Sequence, residues 1–116
     1  MKAVLCKAYG PPESLVYETF PDPQPGAGEV VVSVRAAGLN FPDTLIIQNK
    51  YQFKPELPFS PGSEFSGVVK SVGRGVTRFR PGQPVIGFHP FGAFAEEVRI
   101  AEGALAGLPE GMPFDI

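Results

Sequence analysis

The chain has 116 residues, a length typical of one domain, and its 10 Lys and Arg residues against 12 Asp and Glu leave a net charge of −2. Its 14 Gly and 14 Pro would favour disorder in a polar chain, but 43% of the residues are hydrophobic, ten of them Phe, which is enough apolar surface for a core. Because proline costs about 3 kcal/mol inside a helix, this composition excludes a helical bundle.

Partners that need special sequence features are also excluded. There is no basic run to bind nucleic acid, and the apolar stretch that follows Met1 and Lys2 ends at Cys6, too short for a signal peptide or a membrane span. Cys6 is the only cysteine and His89 the only histidine, so neither an internal disulfide nor a cysteine-rich zinc site is possible. We therefore expect a soluble cytoplasmic protein without a nucleic-acid or membrane partner.

The apolar residues alternate with period two or form short β-branched runs, which predicts strands. In chain order, the predicted strands are Lys2–Lys7, Leu15–Phe20, Glu29–Ala37, Glu64–Gly73, Pro84–Phe88, Ala93–Ile100 and Ala104–Leu108. In the third of them, Val30, Val32 and Val34 are predicted to face the core, and Val31 to lie on the other face. Turns rich in Gly and Pro separate the strands, which favours a small antiparallel barrel or sandwich.

One segment predicts a helix. Asn40 or Phe41 suits the cap, Pro42 suits the first turn, Asp43 complements the helix dipole, and the helix continues through Thr44–Gln48. The predicted fold is therefore all-β with one helical segment.

Residues 62–76 resemble a signature of the medium-chain dehydrogenase/reductase superfamily, in which Gly-His-Glu precedes Gly, Gly and Val at fixed offsets. The matching residues are Gly62, Glu64, Gly67, Gly73 and Val76. Ser63 stands where the zinc alcohol dehydrogenases have His, and Asn40, within residues 36–43, stands where they have a Cys ligand. Residues 92–98 resemble the strand that follows the structural-zinc lobe, which is absent here. The chain is thus similar to the zinc-free quinone oxidoreductases.

This resemblance implies an all-β, GroES-like, partly open barrel with one or two short helical turns. It implies hydride transfer from NADPH to a quinone or enone without zinc, in a full-length form that is a homo-oligomer. Residues 1–116 would be the catalytic domain, truncated before the dinucleotide-binding domain, because no Gly-x-Gly-x-x-Gly occurs and residues 108–116 are predicted to be a turn entering a helix. The chain alone is then expected to be inactive.

The resemblance also implies a set of site residues, with no metal ligand among them. Asn40 would face the nicotinamide and substrate, a role compatible with capping the helix, and Asp43 would support the site from beneath unless it only complements the helix dipole. The Tyr51 phenol could donate a hydrogen bond to a carbonyl that gains negative charge, or its ring could simply pack. Asn40, Phe41 and Tyr51 would contact the cofactor.

Two other functions remain open at this stage. A zinc-free enoyl-thioester reductase would share these motifs, and a stand-alone GroES-like module could serve binding or assembly. Five phenylalanines could line a flat aromatic substrate pocket, although most are expected in the core: Phe41, Phe53, Phe59, Phe88 and Phe91.

Overall fold

Short strands dominate the computed structural model, which describes residues 1–115. The strands are β1 (Lys2–Leu5), β2 (Val16–Thr19), β3 (Glu29–Gly38), β4 (Glu64–Val72), β5 (Pro84–Phe88), β6 (Glu97–Ala101) and β7 (Leu105–Gly107). One α-helix, α1 (Phe41–Ile46), follows β3, and 3₁₀ turns occupy Pro12–Ser14 and Glu102–Ala104. The predicted all-β fold with short helical turns is confirmed.

The strands form two antiparallel sheets. β1 pairs with β2, and the larger sheet has the order β6-β3-β4-β5-β7. The strands of this sheet supply most of the main core cluster, in which Val30, Val32, Val69 and Val85 are almost completely buried. A second, smaller cluster joins Cys6, Ile46, Ile47 and Phe59 and links β1 to α1.

The prediction that Val31 lies away from the core is wrong, because only 1% of Val31 is exposed. Neighbouring residues of a strand point to opposite faces, so burial of both Val30 and Val31 means that β3 is covered on both sides. A register shift between Val31 and Val32 in the pairing with β4 also interrupts the simple alternation.

Several predicted strands are too long at one end because their residues bond elsewhere. β1 stops at Leu5, and Cys6 instead forms a single bridge with Phe59. β6 begins at Glu97 rather than Ala93, because the Ala93 and Phe94 N–H groups donate to the carbonyls of Gly62 and Pro61. The period-two pattern shows where apolar residues alternate, but it does not show which segment the backbone N–H and C=O groups bond to.

The predicted helix also needs correction at its end. α1 ends at Ile46 instead of Gln48, where the Gln48 N–H bonds back to the Leu45 carbonyl and Asn49 takes a φ of 60°. The described part of the C-terminal segment, 108–115, contains turns but no helix, and Ile116 lies outside the described residues. No helix in the described chain is long and apolar enough to cross a membrane.

Candidate active site

The β3–α1 junction places Asn40 at the start of the helix. Asn40 is the N-cap residue in an extended conformation, and Pro42 occupies the first helical turn, where its missing N–H costs nothing. The Asp43 Oδ2 accepts a hydrogen bond of 2.8 Å from the Asn40 backbone N–H, and the Asp43 N–H donates to the Asn40 carbonyl at 3.1 Å. The capping role considered for Asn40 is thus compatible with its position.

Strand pairing brings Ser63 to the same place. Gly38, at the end of β3, lies opposite Glu64, at the start of β4, so the residues just beyond each strand meet. The Asn40 Nδ2 lies 3.5 Å from the Ser63 Oγ, a long hydrogen bond between two polar side chains. The two positions that the resemblance matched to zinc ligands are therefore neighbours.

Asp43, which bonds the Asn40 backbone, is buried. Only 3% of Asp43 and 5% of Ser63 is exposed, and the Asp43 Oδ1 has no hydrogen-bond partner among the described residues. Burial raises the pKa of the Asp43 carboxyl above its usual range, and the negative charge of Glu64 adds to the rise. The Asn40 N–H opposes this shift, as does the nearby Ser63 hydroxyl, which does not complete a hydrogen bond to Oδ1. The site thus holds a carboxyl group whose charged form is disfavoured.

Glu64 packs closely over the backbone of Gly38. A Cβ added to Gly38 would lie 2.1 Å from the Glu64 Oε1, so a larger residue at position 38 would displace the carboxylate. Glu64 itself is exposed, which leaves its charge at the surface of the site beside Asp43. The Gly-x-Glu motif therefore places a negative charge next to the buried acid.

Tyr51 is half-buried and lies a short distance along the chain from this group. It packs against the cluster formed by Cys6, Ile46, Ile47 and Phe59, and its ring centroid is 5.8 Å from that of Phe53. Within residues 1–115, no hydrogen bond joins the Tyr51 hydroxyl to Asn40 or Asp43. The structure therefore brings Asn40, Asp43 and Ser63 together and holds Tyr51 by packing.

The large apolar side chains beside Asn40 are open to solvent. Leu39 and Phe41 are 75% and 74% exposed, and Phe88, across from Glu64, is 60% exposed. Phe53 is also exposed, whereas Phe59 is buried and Phe91 is half-buried against the Cys6 cluster. Of the five phenylalanines considered for a substrate pocket, those nearest Asn40 are thus free to contact another molecule or domain.

A groove of about 860 Å³ that the sequence did not predict runs beside Glu64. Ile86 and Phe88 of β5 form one wall, and Met112 and Phe114 of the C-terminal segment form another. The Ser66 hydroxyl donates to the Phe114 carbonyl and ties this segment to β4. No sequence pattern pointed to the groove, because its lining comes from separate segments of the chain that meet only in the folded structure.

The donor set around Asn40 does not resemble a zinc site. Within residues 1–115, no group of three or more His, Cys, Asp or Glu side chains is placed to hold a metal ion. Cys6 is buried in the cluster with Ile46, and burial raises the pKa of its thiol. The His89 Nδ1 lies 2.8 Å from the Phe91 carbonyl, where it donates to its own loop.

Comparison with known proteins identifies the class to which this fold and site belong. The profile of the alcohol dehydrogenase GroES-like domain matches residues 26–110. The chain therefore belongs to the alcohol dehydrogenase GroES-like domain family.

Several relatives of this chain are named quinone oxidoreductases. The chain is 43% identical over 115 residues to a quinone oxidoreductase of Pseudomonas aeruginosa, covering 98% of this chain and 35% of that protein. It is 37% identical to a trans-enoyl reductase of Fusarium mangiferae, covering 99% and 29%. The Escherichia coli quinone oxidoreductase solved with NADPH superposes with a TM-score of 0.92 at 31% identity, covering 99% and 35%. The predicted resemblance is confirmed, and the chain spans about a third of the length of the curated relatives it matches.

Proposed function

We propose that this chain is the catalytic domain of a zinc-independent, NADPH-dependent quinone oxidoreductase, which transfers hydride from the nicotinamide to a quinone or enone. The observation that carries the proposal is the similarity to quinone oxidoreductases over nearly all of this chain. It is combined with an amide and a hydroxyl at the two positions matched to zinc ligands, Asn40 and Ser63. Amides and hydroxyls are poor zinc ligands compared with Cys and His, so the carbonyl must be polarised by hydrogen bonds instead.

The residues fit this chemistry in distinct roles. In the proposed complex, NADPH supplies the hydride, and Asn40, Phe41 and Tyr51 contact the nicotinamide end. The Asn40 amide orients the reactants and the Tyr51 hydroxyl donates a hydrogen bond to the substrate oxygen as it gains negative charge. Asp43 holds the Asn40 backbone through the 2.8 Å bond and supports the site from beneath.

The exposed apolar side chains support a role as one domain of a larger enzyme. Leu39 and Phe41 leave most of their surface in water, although burial of such side chains is worth about 1.5–3 kcal/mol each. A dinucleotide-binding domain seated there would cover them and close the cleft over Asn40. We propose that residues 1–116 act with such a domain in a cytoplasmic homo-oligomer.

The trans-enoyl reductase of Fusarium mangiferae favours one alternative, reduction of an α,β-unsaturated thioester. Both reactions deliver hydride to a conjugated carbonyl system, so the residues around Asn40 suit either one. The difference lies in the substrate that the cleft admits. A stand-alone binding module has less support, because proteins named quinone oxidoreductase match this chain over 98% of its length at 43% and 35% identity.

A hybrid enzyme tests the proposal. In the hybrid, this chain replaces the corresponding 115-residue stretch of the Pseudomonas aeruginosa quinone oxidoreductase, and NADPH oxidation is followed with benzoquinone and with a crotonyl thioester. We expect turnover of benzoquinone at a rate comparable with the parent enzyme. Faster turnover of the thioester would favour the enoyl reductase, and a folded hybrid that binds NADPH but reduces neither substrate would contradict both.

A further inference from the structure

We infer that Ser63 is a positioning residue that sets which end of the Asn40 amide faces the cleft, through a chain that runs from Asn40 Nδ2 to the Ser63 hydroxyl and on to the Asp43 carboxyl. The consequence for catalysis rests on the proposed function, whereas the contacts themselves do not. Ser63 is not one of the residues that the sequence assigned to the site.

The backbone around Ser63 is fixed from two directions. The Ser63 carbonyl accepts a hydrogen bond of 2.8 Å from the His89 N–H, and the preceding Gly62 carbonyl accepts one of 3.1 Å from the Ala93 N–H. Only 5% of Ser63 is exposed. The backbone of Ser63 is therefore held in place, and its buried side chain lies beside the Asn40 amide.

The Asp43 carboxyl determines which way the Ser63 hydroxyl donates its hydrogen. Oδ2 already accepts from the Asn40 N–H, whereas Oδ1 is buried and has no partner within residues 1–115. The nearby Ser63 hydroxyl favours the ionised form of this carboxyl. An ionised carboxyl can only accept, so the Ser63 hydrogen is drawn toward Oδ1, and leaving a buried acceptor unsatisfied costs about 1–3 kcal/mol.

The orientation of Asn40 follows from this polarity. When the Ser63 hydroxyl donates its hydrogen to Asp43, the Ser63 oxygen can only accept a hydrogen bond from Asn40. The Asn40 side chain must then donate through its N–H group. The observed contact has this sense, with Nδ2 3.5 Å from Oγ. The Asn40 carbonyl oxygen and its second N–H are then left for the cleft, where they can meet the carboxamide of a nicotinamide or a substrate oxygen.

Side-chain amide NMR on the ¹⁵N-labelled chain tests the inference directly. Asn40 and Asn49 are the only asparagines, so the Asn49 amide, whose oxygen accepts from Lys54, is an internal control. In Ser63→Ala we expect the Asn40 Nδ2 resonances to shift and to exchange faster with water, while those of Asn49 stay in place. Ser63→Thr keeps the hydroxyl and should restore the Asn40 signals, and Ser63→Cys, a weaker donor of similar size, should give an intermediate shift.

A second measurement follows Asp43, the last group in the proposed chain of hydrogen bonds. Titration of the Asp43 carboxyl by ¹³C NMR should give a higher midpoint in Ser63→Ala, because the hydroxyl that favours the ionised form is gone, while the charge of Glu64 remains. Unchanged Asn40 resonances in Ser63→Ala, or an unchanged Asp43 midpoint, would overturn the inference. Should the Ala variant fail to fold, the Cys variant gives the same test.

The hybrid enzyme separates this inference from the proposed function. There, Ser63→Ala should lower kcat more than it changes KM, and its effect should vanish in an Asn40→Ala background, because both act through one amide. Ser71→Ala, at the far end of β4, is the matched control and should leave kcat unchanged. A parent hybrid without activity would contradict the function, whereas additive losses for Ser63 and Asn40 would overturn the positioning role.

Discussion

The ring of Phe94 lies against the backbone of Gly62, so that a Cβ at position 62 would sit 2.6 Å from the Phe94 Cδ1. Gly62 also has a φ of +99°, which L residues rarely adopt. Both features hold the turn that presents Ser63 to Asn40. The glycine of the matched motif is therefore required by local packing, independently of any chemistry.

Gly62→Ala should destabilise the fold by about 1–3 kcal/mol, since strain at positive φ adds to the clash with Phe94. Gly103→Ala is a suitable control, because no atom lies within 4 Å of a Cβ there and its φ is not positive. Urea unfolding should show a lower midpoint only for the Gly62 variant. Equal midpoints for the two variants would contradict the packing argument.

Asp43→Asn and Asp43→Ala should have opposite effects on stability at pH 7. The Asn side chain keeps an acceptor for the Asn40 N–H and carries no charge to bury, so the free energy of unfolding should be unchanged or higher. Ala leaves that N–H without its acceptor and should lower the free energy of unfolding by about 1–3 kcal/mol. Equal losses in both variants would show that burial of the charge is not the dominant cost.

The cost of burying the Asp43 charge should also appear in how the free energy of unfolding changes with pH. Because the native pKa of Asp43 is raised, its contribution to the free energy of unfolding is fully present below the unfolded value near 3.8 and is lost as pH rises through the native pKa. Urea unfolding between pH 3.5 and about 7 should show this decline in the parent relative to Asp43→Asn. Parallel pH profiles of the two proteins would contradict the raised pKa.

The purified chain should contain no stoichiometric zinc after expression in zinc-containing medium. Asn40 and Ser63 offer an amide and a hydroxyl, and zinc sites use Cys, His and carboxylate ligands. The double variant Asn40→Cys, Ser63→His supplies two such ligands in neighbouring positions and should retain more zinc. Elemental analysis that finds about one zinc per parent chain would refute the zinc-independent mechanism.

This chain alone should bind NADPH weakly or not at all. Dinucleotide affinity depends on a glycine turn and a helix N-terminus that hold the pyrophosphate, and the sequence contains no Gly-x-Gly-x-x-Gly. Calorimetry with the 116-residue chain and with the hybrid enzyme should detect binding only in the hybrid. Micromolar affinity in the isolated chain would place the cofactor site here instead.

Tyr51→Phe in the hybrid should lower kcat for benzoquinone by about 10²-fold or less, since it removes one donor to the developing oxyanion while keeping the ring. Tyr17→Phe is the control, because Tyr17 is exposed on β2 and distant in sequence from the site. If only the KM for NADPH rises, Tyr51 shapes cofactor binding rather than the chemistry. Unaltered kcat and kcat/KM would leave Tyr51 as a packing residue, as its contact with Phe53 alone would suggest.

Local features of the sequence sufficed for the strands and for the start of the helix. The period-two pattern predicted β5 at its observed bounds, and Pro42 with Asp43 predicted where α1 begins. These features depend on neighbours in the chain, where propensity and alternation act. The polar pair Asn40 and Ser63 was also visible in the sequence, but only by resemblance to a family, since nothing in the spacing of 23 residues reports a contact.

The tertiary structure decided what depends on distant partners. The burial of Val31, the diversion of Ala93 and Phe94 to the Pro61–Gly62 loop and the groove beside Glu64 all require segments that are far apart in the chain. The same holds for the contact between Asn40 and Ser63, which forms because β3 pairs with β4 and brings the residues just beyond Gly38 and Glu64 together. The alternation of apolar residues in the sequence indicates which side chains are buried. The pairing of strands determines which polar atoms come together, and the chemistry of this site depends on that pairing.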